Sequence, residues 1–199
     1  MLNMIKGAGV PKAESLQEAY EIRNNVICAN VNAEKIEELF RDFIEMHKDE
    51  SLFFILEIPC NIIEEEPDEN GVINEYHKNV YYIDGLSQEQ ALAVLDIKGE
   101  LLINDGLSNF GFGGHMSQDE LMKGRYNVCT VFSKNAEDFR TFFERHNIPA
   151  ADKLIMAWDT FDKEHPGISA SYCVDGERIE DLVAYFKEWG IYLAERRPE

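Results

Sequence analysis

The chain is short of positive charge. Nineteen lysines and arginines stand against 38 aspartates and glutamates, a formal net charge of −19. Nucleic-acid binding needs cations that displace phosphate counterions, so this balance argues against a nucleic-acid partner. Cysteine is also scarce. The four thiols, Cys28, Cys60, Cys129 and Cys173, include no C-x-x-C pair and no zinc spacing. Cys129 and Cys173 lie in the apolar runs YNVCTVF and SASYCV and are expected to be buried, reduced thiols. No apolar run approaches the roughly 18 residues of a membrane span. The N-terminal stretch MLNMIKGAGVPK lacks the apolar centre of a secretion signal. A cytoplasmic location with no membrane partner is the expectation.

What remains is an ordinary globular composition, 45% hydrophobic and 11% aromatic over 199 residues, enough for a real core. The acidity is uneven. Residues 1–60 carry 6 bases and 11 acids, residues 61–124 carry 3 and 13, and residues 125–199 carry 10 and 14. An acidic field attracts basic proteins and speeds their capture.

Periodicity predicts mixed α+β structure. Ser15 and Glu18 have capping-box spacing for a helix ending near Ala29-Asn30. A second helix from Asn32 carries Ile36, Leu39, Phe40, Phe43 and Ile44 on one stripe. SLFFILEIP (51–59) and NVYYID (79–84) read as strands, with an acidic loop at 61–71 between them. Ser87 and Gln90 cap a helix that is expected to stop at Gly99, followed by a short strand ELLIN (100–104).

In the C-terminal part, strands are expected at 126–132, 153–158, 168–174 and 191–195. Helices are expected after Asn135 and Asp175. The order β-α-β-β-α-β predicts a ferredoxin-like half over 125–199, packed with N-terminal helices and short strands over 1–124. The boundary falls at Lys123-Gly124, with no flexible linker, and no internal repeat is visible.

Three places could carry chemistry. The first is SNFGFGGHMSQDE (108–120). Its glycines do not make G-x-G-x-x-G, and no lysine or arginine occurs between Lys98 and Lys123, so it is no phosphate cradle. Ser117 and Glu120 have capping-box spacing, with Met116 and Leu121 at the staple positions, which predicts a short helix. Asp105, His115, Asp119 and Glu120 could supply metal ligands, with His115 and Asp105 as catalytic base or ligand of a small metal-dependent hydrolase. They match no known ligand spacing. His77, His146 and His165 are scattered in polar contexts, and no nucleophile elbow is present. No cofactor is expected.

The second place is the set of aromatics Tyr126, Phe132 and Tyr172, which a ferredoxin-like half could offer to RNA bases. Charge and the absence of an RNP-type motif argue for core instead. The third is the acidic loop. Glu64, Glu65, Glu66, Asp68 and Glu69 could dock a basic protein, as an immunity-type inhibitor of a basic toxin or nuclease would.

Overall fold

The computed structural model describes residues 2–199. In chain order its strands are β1 (Ala8–Gly9), β2 (Ala19–Arg23), β3 (Val26–Asn30), β4 (Leu52–Pro59), β5 (His77–Leu86), β6 (Asn109–Gly114), β7 (Glu120–Lys123), β8 (Val128–Phe132), β9 (Ile168–Ser169) and β10 (Tyr192–Pro198). The helices are α1 (Ala33–Met46), α2 (Gln88–Asn104), α3 (Arg140–Arg145) and α4 (Asp181–Tyr185). Eight strands form one antiparallel sheet in the order β10-β5-β4-β6-β7-β8-β3-β2, and β1 pairs with β9 apart from it. The fold is α+β.

One core lies between the sheet and the helices. The α1 stripe of Ile36, Leu39, Phe40, Phe43 and Ile44 is fully buried, as its spacing predicts. It meets Phe54, Leu56, Phe110, Phe112, Leu121 and Val131 from the sheet, and all four helices add residues to the same cluster. Ser87 and Gln90 form the predicted reciprocal capping box at the start of α2.

Several expectations are corrected. In place of the helix expected over residues 15–30, residues 19–30 form the β2–β3 hairpin. Asn24, with φ of 57°, makes the turn, and Ile27 and Ala29 face the core on alternate positions. Glu18 does not cap its own segment; its carboxylate accepts from the Asn32 amide and from Lys35. The expected strand 100–104 is the last turn of α2, whose Leu101, Leu102 and Ile103 are buried in the core. Gly99 does not stop that helix.

The expected β-α-β-β-α-β half does not assemble. β8 lies between β7 and β3, whereas β10 is at the opposite edge beside β5. Residues 153–158 make no strand because side chains take their backbone groups. The Leu154 amide donates to Glu21, the Met156 amide to Asp159, and the Ile155 carbonyl accepts from Asn30. Of 168–174, Ile168 and Ser169 pair with β1, and Val174 makes only an isolated bridge to Glu177. Asp175 precedes α4 by several residues and takes φ of 50°. Lys123-Gly124 falls between β7 and β8, which are paired neighbours in the sheet. No helix among the described residues is long and apolar enough to cross a membrane.

Candidate functional site

The stretch 108–120 is a hairpin, not the start of a helix. Its F-G-F-G-G alternation is a strand pattern: Phe110 and Phe112 enter the core, and Gly111 and Gly113 face the other side of the sheet. Ser117 accepts from the Asp119 amide inside the turn, and Met116 is exposed. Glu50, in the turn between α1 and β4, accepts from the amides of Met116 and Ser117.

The four candidate ligands do not meet. Asp105 is fully buried and holds backbone, accepting from the amides of Leu107, Ser108 and Tyr172. His115 is half-exposed, edge-on to Phe53 and 3.5 Å from Asp84. Asp119 faces His47 at 3.2 Å. Glu120 lies on the face of the sheet opposite the helices, where burial pushes its carboxyl above the ordinary value. Among the described residues no three His, Cys, Asp or Glu side chains could hold a metal ion. The remaining histidines also go to separate acids: His77 to Glu65, His146 to Asp42 and His165 to Asp162. Cys129 is buried, and its thiol is pushed up to about 12 by burial. Cys173 is exposed, against expectation, because the backbone around it is not a strand.

The acidic loop is ordered by one of its own acids. The Glu65 side chain is buried, so it is not part of the exposed docking patch expected from the sequence. It accepts from the backbone and ring of His77, at 2.7 and 2.8 Å, and from Arg196 at 2.6 Å. Burial would raise its carboxyl, but these donors outweigh it and hold it below the usual range. Arg196 also donates to the Glu64 carbonyl. Asp68 closes the tip, accepting from the amides of Val72 and Asn70 and the side chain of Asn74, which lower its carboxyl. Glu64, Glu66 and Glu69 are exposed. With them stand large apolar side chains that the charge pattern concealed. Ile62 is 67% exposed and Ile63 is 88% exposed, and Val72 and Tyr76 are more than half exposed. Their signal in the sequence is the pair Ile62-Ile63 next to three glutamates.

The second surface is the bare face of the sheet. Cross-strand register sets it out in rows. Tyr192, Tyr82, Ile55, Gly111, Met122 and Thr130 lie side by side, as do Phe53, Gly113, Glu120 and Phe132. The glycines let neighbours lie flat across the sheet. A Cβ on Gly111 would stand 2.1 Å from the Met122 sulfur, and one on Gly113 would stand 2.2 Å from the Phe53 ring.

Two grooves open on this face. One, of about 430 Å³, is lined by Glu57, Lys78, Asn109, Glu120, Phe132 and Arg197 among others. Glu57 is buried there with compensating partners: Lys78 at 2.5 Å, Asn109 at 2.8 Å, and Arg197. Burial lowers the Lys78 amine, aided by Arg125 and opposed by Glu195. The other groove, of about 400 Å³, has Phe53, Tyr82 and Tyr192 with Asp84, Glu195 and His115. The Tyr82 phenol is pushed up by burial first, then by Glu120, Glu195, Tyr192 and Asp84.

Comparison with models of protein families, with curated proteins and with solved structures returns no match.

Proposed function

We propose that the chain is a protein-binding module whose partner is a basic protein, in its sharpest form an immunity-type inhibitor that covers the phosphate-binding site of a basic toxin or nuclease. The observation that carries this reading is the pairing, on the 61–76 segment, of exposed isoleucines with exposed acids. Ile62 and Ile63 stand in water, flanked by Glu64, Glu66, Asp68 and Glu69. Isolated exposed apolar residues are normal, but a group of them rimmed by charge marks an interaction site. The buried Glu65 ties this segment to His77 and Arg196, so little ordering remains to be done on binding. The acids then speed encounter, and the isoleucines slow release.

The test uses the product of the gene next to this one. A basic toxin-like neighbour should bind the purified chain and lose activity in the complex. Replacing Glu64, Glu66 and Glu69 together by lysine should slow association by roughly tenfold or more at low salt, with the effect shrinking as salt rises. Ile63→Asp should speed dissociation with little change in association rate. Unchanged kinetics in both variants would exclude this loop as the docking site. A neighbour that is neither basic nor bound would overturn the immunity form.

A further inference from the structure

The groove around Tyr82 has a composition that selects one kind of ligand. Three aromatic rings meet there from three strands. Phe53 of β4 and Tyr82 of β5 have ring centroids 5.9 Å apart, and Tyr82 and Tyr192 of β10 are stacked at 6.4 Å. His115 closes one end, edge-on to Phe53 at 5.1 Å. The charged groups of the lining are acids, Asp84 and Glu195, and no lysine or arginine is among the lining residues. Asp84 is already engaged, accepting from the Tyr192 hydroxyl at 2.5 Å and facing His115. Glu195 is more than half exposed and paired only at 3.3 Å, with Arg197 of its own strand.

We propose that this groove binds an organic cation, an alkylated ammonium group, against the faces of Phe53, Tyr82 and Tyr192 with Asp84 and Glu195 supplying the counter-charge. Aromatic faces carry negative potential and attract cations, most effectively those that shed water easily. A methylated ammonium fits both conditions. A metal ion does not, because it needs several converging ligands and the described residues offer no such cluster. The field has the right sign: Glu120, Glu195 and Asp84 all act on the Tyr82 phenol in the direction that opposes negative charge. The groove sits at the Tyr82–Asp84 end of β5, whereas the acidic loop joins the strand at His77, so this site does not depend on the docking role proposed for the loop.

The experiment is calorimetric or NMR titration of the full chain with choline, with its neutral carbon isostere, and with a short peptide carrying trimethyllysine. Choline or the peptide should bind saturably below about 10 mM, and the isostere should bind roughly tenfold more weakly or not at all. Tighter binding of the peptide than of choline would identify a protein side chain as the source, and the reverse a free small amine. Both outcomes support the site. Tyr192→Leu, at an exposed edge position that does not threaten folding, should weaken binding about tenfold, and Glu195→Gln by a smaller factor. Replacing Glu64 and Glu66 by lysine should leave the titration unchanged while slowing capture of a basic partner. No binding by either ammonium, equal binding by the isostere, or full binding by Tyr192→Leu would each overturn the proposal.

Discussion

The two faces of the eight-stranded sheet are built from the same strands, yet they differ in what covers them and in what they can do. On one face Phe110 and Phe112 of β6 pack beneath α1, with Phe40 stacked on Phe110 at 4.6 Å. On the other, the intervening positions are Gly111 and Gly113, over which Met122 and Phe53 lie flat. Helices close the first face and make it a core. The second buries Glu57 but leaves Phe53 and Tyr82 half-buried and Tyr192 and Glu195 exposed, where they can meet another molecule. One six-residue strand shows the whole difference, because a period of two sends neighbours to opposite sides.

The contrast can be broken most strongly from the covered side. Phe110→Ala should lower unfolding free energy by about 3–5 kcal/mol, as expected for a fully buried ring. Phe132→Ala, on the bare face and 44% exposed, should cost about 1 kcal/mol or less. Chemical denaturation of the two variants measures the difference, and equal losses would mean that the bare face is as tightly covered as the core.

Lys123 is the next test, since it is a cation on the covered side. Its side chain is fully buried, and its ammonium donates to the carbonyls of Asp105 at 2.6 Å and Ser108 at 3.4 Å. Burial lowers its ordinary value of 10.5 to about 8. The folded chain therefore releases a proton near pH 8 that the unfolded chain keeps until about 10.5. Stability should rise with pH across that window, by about 3 kcal/mol relative to Lys123→Met. The comparison must be with the variant, because the buried Cys129 thiol works in the opposite direction above pH 9. A difference between the two proteins that stays flat from pH 8 to 10.5 would refute this account of Lys123.

A smaller effect is expected from Gly111→Ala. Its Cβ would meet the Met122 sulfur, which can move, and the Leu121 carbonyl at 2.5 Å, which is backbone. A loss of about 1–3 kcal/mol is expected, read as a lowered Tm. The smallest effect belongs to Ile63→Ser. With 88% of the residue already in water, its removal should change stability by no more than about 0.5 kcal/mol. Any effect on partner binding would then be a contact effect and not a folding effect.

How much of this was readable beforehand depends on the range of the signal. The α1 stripe was legible because five apolar residues recur at helical spacing over more than two turns. The Ser87–Gln90 box was legible for the same reason, being followed by a long apolar helix. Ser117 and Glu120 have the same spacing, but only Leu121, Met122 and Lys123 follow before Gly124, too few residues for a helix to pay back its nucleation. There the β-pairing of Phe112 with Leu121 prevails. The hairpin at 19–30 carries a weak signal because each strand is five residues long, and alternation over so few positions also fits a helix. The acidity of the 61–71 loop was plain. The burial of Glu65 was not, since it requires Arg196, 131 residues away.

The charge, the α+β character and the segments with strong local periodicity follow from the amino-acid order alone, because these depend on composition and on neighbours within a few residues. Which acids remain free, the engagement of Asp105 with the amides of Leu107, Ser108 and Tyr172, and the meeting of Phe53, Tyr82 and Tyr192 in one groove emerge only when the chain is folded. Phe53 and Tyr82 come from consecutive strands, but Tyr192 comes from β10 at the other end of the chain. Their meeting is set by sheet order and register, which arise from long-range pairing and burial.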